Sequence, residues 1–255
     1  MIDNESQPNG LAAAPDKRPR AALYVDGFNL YHPIVNLGEG YNFLKWACLW
    51  RLGELICEKG GQRLEKVVFC TAVPKIDRDV GKHERHIRFN SAQKARGVDV
   101  LLGHYVPEVI EVDGVPTGET KWTEKQTDIN VSLSLLFDGL DDVYDVAFLL
   151  SADTDQVATA RMFAERLEPR GKQFIGVAPM NRKPPSGYSQ FGFRGLTLSR
   201  YQLECCVMPE EIQGSDKIIV RPPEYAPPVD WVHPDLRPKE KPPKPPKVWG
   251  KGVKG

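Results

Sequence analysis

Val143–Gln156 reads VYDVAFLLSADTDQ, and the architecture follows from it. Val146 to Leu150 is an unbroken apolar run of strand length; it stops at Ser151-Ala-Asp-Thr-Asp155, after which helical spacing resumes. A strand that is apolar throughout belongs inside a sheet covered on both faces. In open parallel α/β sheets the carboxyl ends of the strands carry the chemistry, so two aspartates at this junction stand where a hard cation is held. A second junction of the same kind lies near the start, where Ala21-Ala-Leu-Tyr-Val25 runs into Asp26-Gly-Phe-Asn29.

Working outward, strands are expected at 21–25, 64–73, 98–105, 146–150 and 173–178, with helices over about 43–58, 82–95, 127–137 and 156–167. Strands alternating with helices of this length predict a three-layer α/β/α sandwich around a central, mainly parallel sheet. His32-Pro33 is read as a break after the first strand, 196–203 as helical, and 204–208 as a last short strand or a surface segment. Asp113-Gly114 marks a tight turn, so 106–123 is expected to be a hairpin inserted above the sheet. The patterned domain covers 20–212. Residues 1–19 are polar and proline-containing and read as a disordered leader. Residues 213–255 read as a proline-rich tail, basic at Arg237, Lys239, Lys241, Lys244, Lys247, Lys251 and Lys254 against Glu240 alone.

With 34 basic and 34 acidic residues, a uniformly basic nucleic-acid coat is excluded, whereas a local basic groove is not. Five cysteines without zinc-site spacing fit a reducing, cytoplasmic setting. No apolar run reaches membrane-spanning length, so no membrane partner is expected. The phosphate-binding Gly-x-x-x-x-Gly-Lys-Ser/Thr sequence is missing, and Gly38-Glu-Gly40 does not make a dinucleotide fingerprint.

The chemistry-bearing set is Asp26, Asp128, Asp153 and Asp155, with Asn29 and Ser151 as polar supports. If the strands at 21–25 and 146–150 are neighbours, all of these meet at one sheet edge. Clustered carboxylates repel unless a cation neutralises them, and an oxygen-only set suits Mg²⁺ or Mn²⁺. Such a site can direct water at a phosphodiester. Taken singly, Asp128 and the Asp153/Asp155 pair serve equally as helix-capping charges. The basic loop around Arg182 and Lys183 is a candidate substrate contact. Tyr31 and Trp122 suit either base stacking or burial.

Tyr24-Val-Asp-Gly-Phe-Asn-Leu30, Lys125-Gln-Thr-Asp-Ile129, Leu149-Leu-Ser-Ala-Asp-Thr-Asp155 and Gly171-Lys-Gln-Phe-Ile-Gly-Val-Ala178 occur here in that order. In this the chain resembles the NYN domain family, a branch of the PIN-like nucleases, over residues 20–212. The resemblance implies a PIN-like sheet and a divalent-metal-dependent endoribonuclease, acting on RNA that is single-stranded or has exposed loops. It implies that Asp26, Asp128, Asp153 and Asp155 hold the metal, that Asn29 supports the first motif, and that Lys125 meets the scissile phosphate or pairs with an aspartate. Related domains often form homodimers. The alternative is an RNA-binding regulatory protein with negligible catalysis.

Overall fold

A computed structural model describes residues 16–238 of the chain. β1 (Arg20–Asp26) runs straight into α1 (Gly27–Val35), and α2 (Leu49–Glu58) leads to β2 (Arg63–Thr71). α3 (Val80–Ala95) and β3 (Asp99–Leu102) follow, then the antiparallel pair β4 (His104–Val112) and β5 (Val115–Lys125). α4 (Thr127–Leu140), β6 (Val146–Leu150), α5 (Gln156–Arg166) and β7 (Gln173–Ala178) complete the alternating part. β8 (Arg194–Thr197), α6 (Arg200–Glu204), β9 (Glu211–Gln213) and β10 (Ile218–Val220) close the chain's regular structure.

The central sheet is parallel with the order β3-β2-β1-β6-β7-β8. β1 is laid first, β2 and β3 build outward on one side, and the chain returns across the sheet to put β6 on the other flank of β1. Because side chains alternate along a strand, Ala21, Leu23 and Val25 join α1 and α2 in one core, whereas Ala22 and Tyr24 join α4 and α5 in the other. This is the expected three-layer α/β/α sandwich. No helix among the described residues is long and apolar enough to cross a membrane.

The hairpin rises from the carboxyl edge of the sheet directly after β3. Asp113 and Gly114 both have positive φ, at 52° and 78°, as a two-residue turn of the right twist requires. Its base is held close: a Cβ on Gly103 would lie 2.4 Å from the Lys125 carbonyl oxygen, so only glycine lets the two arms meet there.

Four local expectations are corrected. α1 does not break at His32-Pro33: Pro33 sits in the last turn of a nine-residue helix, where its missing N–H removes only one intrahelical bond. The helix expected over 43–58 is interrupted, with a 3-10 stretch at Glu39–Trp46 and extended backbone at Ala47-Cys48 before α2. There the Cys48 N–H donates to the Cys206 carbonyl at 2.7 Å, and the Gln93 amide donates to Ala47 O at 2.8 Å while accepting from Leu49 N at 3.0 Å. Tertiary partners thus replace helical ones. Arg194–Thr197, expected to begin helical at 196, is the sixth strand instead, because β7 leaves an open edge for it. Residues 204–208, expected as a short strand or a surface segment, make only a single bridge, Ala47 with Val207, and Cys206 to Met208 are buried; pairing resumes at β9.

The boundary of the tail also shifts. From 213 to 238 the chain stays on the body of the domain, with Ile219 and Tyr225 buried beside Trp46 and Met208. Trp231 packs on Phe43 at 5.1 Å between ring centroids. Arg237 reaches the Glu204 carboxylate at 2.6 Å. The lysines at 239–254 and the leader over 1–15 lie outside the described residues.

Candidate functional site

β1 and β6 are paired from Ala21↔Val146 to Val25↔Leu150, so Asp26 and Ser151 emerge side by side. This is where the strand order reverses, the place at which open α/β sheets leave a crevice outside their carboxyl ends. Asp26 is 2% exposed and does three jobs there. One carboxylate oxygen caps α1, accepting from Phe28 N and Asn29 N at 3.1 Å each. The other accepts from the Asn29 side-chain amide and from Ser151 Oγ at 3.0 Å, which ties β1 to β6. Gly27 is required beside it, because a Cβ would meet the Cys70 carbonyl oxygen at 2.8 Å.

Asn29 and Ser151 carry the order outward. Asn29 Oδ1 accepts from Ala152 N at 3.0 Å, and Ser151 Oγ accepts from Asp153 N at 3.1 Å. Asp153 Oδ1 in turn accepts from Asp155 N at 2.9 Å. The Ser-Ala-Asp-Thr-Asp turn is therefore shaped from the buried Asp26 upward. Asp128, in the first turn of α4, stands across from it. Partial burial, then the charges of Asp26, Asp153, Glu124 and Asp155, push the Asp128 carboxyl up to about 6. Cys70, at the end of β2, is pushed up to about 12, first by burial and then by Asp26 and Asp128. The four predicted aspartates share one field.

They do not all serve alike. Asp26 already accepts four hydrogen bonds, about the capacity of a carboxylate, so it anchors the site. The oxygens left for a ligand belong to Asp128, Asp153 and Asp155. Among the described residues no three such groups converge closely enough to hold one ion directly. The donor set is nonetheless oxygen-only and mutually repulsive, which fits a Mg²⁺ or Mn²⁺ that keeps several waters and takes one or two carboxylates.

One further expectation changes. Lys125 does not face the aspartates: its Nζ pairs with Glu108 at 2.7 Å on the outer face of the hairpin. The pleat puts alternate residues inward, and the inward neighbour is Glu124. Its Oε1 accepts from Thr127 N at 3.0 Å and so caps α4 beside Asp128. Glu124 is a fifth carboxylate that the sequence reading missed, because the capping pattern runs from a threonine forward to an acid, and here the acid comes first. Arg182 and Lys183 are exposed in the loop after β7, at the same edge of the sheet.

In metal-free protein the raised Asp128 pKa has a definite sign. Folding favours its protonated form, so its contribution to stability is full below pH 4 and is lost as pH rises through about 6. Urea midpoints in EDTA should fall between pH 4.5 and 7, and millimolar Mn²⁺ should recover the loss at pH 7. Identical midpoints with Mn²⁺ and EDTA would mean that no cation relieves the repulsion.

Fold and crevice together define a doubly wound α/β protein with an acidic site at its switch point. No family model matches the chain, and no curated protein matches it. Among solved structures it is similar to a Vibrio parahaemolyticus protein of unknown function. The two share 14% identity and a TM-score of 0.46, over 73% of this chain and 97% of that one. A likeness of that degree says nothing about function.

Proposed function

We propose that this chain is a divalent-metal-dependent endoribonuclease of the NYN, PIN-like kind, working in the cytoplasm on single-stranded or loop RNA. The observation that carries the reading is the pairing of β1 with β6, which joins Asp26 to the Ser151–Asp155 turn at one crevice facing Asp128. When bound, Mg²⁺ or Mn²⁺ would offset phosphate charge and lower the pKa of a bound water. The chain's own part is to hold Asp128, Asp153 and Asp155 where their oxygens order a water on the phosphorus and accept its proton. As the water oxygen bonds to phosphorus, the P–O bond to the leaving ribose oxygen breaks, and that oxygen takes a proton from solvent water to leave as a hydroxyl. Arg182 and Lys183, at the same edge, suit the neighbouring backbone phosphates.

The test is cleavage of end-labelled single-stranded and hairpin RNAs by the purified chain with Mg²⁺, Mn²⁺ or EDTA. Internal cuts are expected with either metal and none in EDTA. Binding without cutting in all three would favour the second reading, an RNA-binding regulatory protein. That reading draws on the exposed basic residues Arg182 and Lys183 at the same edge of the sheet.

A further inference from the structure

Beside the acidic crevice, behind α1, lies a second and chemically opposite recess. Gly27 and Phe28, the two residues after Asp26, form one end of a cleft of about 100 Å³ that runs between α1, α3 and the 39–46 turn. That is the scale of a single flat ring; an apolar cavity of roughly 150 Å³ takes up benzene. Tyr31, Phe89 and Tyr105 are among its walls, and among the described residues no carboxylate lines it. Three cations do: Lys45, Lys82 and Arg85. Arg85 is paired with Glu224 at 2.8 Å, whereas Lys45 and Lys82 have no acidic partner among the described residues. Lys45 Nζ instead sits 5.1 Å from the centre of the Tyr31 ring.

Two polar groups of the cleft, one buried and one half-buried, point to an occupant. Asn90 is 6% exposed, lines the cleft, and its side-chain NH₂ has no hydrogen-bond partner among the described residues. A buried amide donor left unpaired costs on the order of 1–3 kcal/mol, which a ligand acceptor would recover. His86 packs 6.1 Å from Tyr31, and burial followed by the charges of Lys82, Arg85, His83 and Lys45 holds its imidazole down to about 4. It is a neutral ring in a positive field. The aromatic face of the hairpin continues this surface: Tyr105 meets Phe28 at 6.3 Å, and Trp122 lies between Lys75 and Arg78 at 4.4 and 4.5 Å.

We infer that this cleft binds one nucleotide, its base ring between Tyr31 and Phe89 with an acceptor on Asn90, and its phosphate at Lys45 and Lys82. Aromatic walls with a cationic rim and no acid are what a stacked base and its phosphate need. An apolar metabolite would have no use for two unpaired lysines, and a bare anion no use for the aromatic walls. The inference rests on the RNA reading in that the nucleotide is a unit of the strand cut next door. The cleft then fixes which nucleotide lies beside the scissile bond.

Titration of the full chain in EDTA with uridine 5′-monophosphate, followed by NMR at the His86 ring protons and the Asn90 amide, tests this. A one-ring base matches the size of the cleft, and EDTA removes any metal-bridged binding at the aspartates. Saturable shifts at both residues are expected, with uridine and ribose 5-phosphate each at least tenfold weaker. Lys45→Met and Asn90→Leu should each weaken binding about tenfold. Two variants guard against a folding defect in one. The inference is overturned if no saturable shift occurs, if both variants bind as wild type, or if ribose 5-phosphate equals the nucleotide. Cleavage that persists over a flat titration sinks the cleft alone; a clean titration without cleavage by wild type sinks the nuclease reading alone.

Discussion

Asp153→Asn should reduce metal-dependent RNA cleavage by about 10²-fold or more while leaving the fold as stable as before. Asp153 is half-buried at the mouth of the crevice, and among the described residues its side chain accepts from Asp155 N alone. An asparagine oxygen can accept that same hydrogen bond, so the Ser151–Asp155 turn keeps its shape. What disappears is a unit of negative charge that, after Asp26, is the largest charge acting on Asp128. With repulsion relieved, the urea midpoint in EDTA at pH 7 should stay level or rise slightly. Activity and stability therefore move apart. Cleavage undiminished in the variant would remove Asp153 from the chemistry, and a joint loss of activity and stability would recast it as a helix cap.

The parts legible in the sequence are those in which local pattern and tertiary fate agree. Val146–Leu150 and Gln173–Ala178 are strands with the expected bounds, because a continuous apolar run closed by polar residues leaves a central strand little choice. The meeting of Asp26 with Ser151 was conditional on strand order, which no periodicity encodes; the return of the chain across the sheet supplies it. β8 was illegible because Arg-Gly-Leu-Thr is short and exposed at every position, and only the free edge of β7 makes it a strand. Lys125 and Glu124 show the finer limit. A motif match selects the lysine by spacing, while the pleat of β5 turns it outward and its neighbour inward. The cleft residues His86 and Asn90 share one face of α3, four residues apart, but Lys45 comes from the separate 39–46 turn, so no local signal joined it to them.

Trp46→Ala should cost about 3–5 kcal/mol, the loss expected for emptying a large aromatic site in a core. Against a total of roughly 5–15 kcal/mol for a domain, that is a large share. Trp46 is fully buried, and its indole N–H donates to the Pro209 carbonyl at 2.9 Å. Its own carbonyl accepts from Met208 N at 3.0 Å. Ile212, Ile219 and Tyr225 close over the same cluster. A stretch whose prolines and charges read as a tail is thus anchored on Trp46 of the 39–46 turn, alongside the Phe43–Trp231, Arg85–Glu224 and Arg237–Glu204 contacts. Tyr225 lines the nucleotide cleft as well, and Lys45 precedes Trp46, so this latch and the cleft wall are one structure. Urea unfolding followed by far-UV circular dichroism should show the lower midpoint, and limited proteolysis should begin to cut between 205 and 225. A loss under about 1 kcal/mol with an unchanged digest would mean that 205–225 lies on the domain without belonging to its cooperative unit.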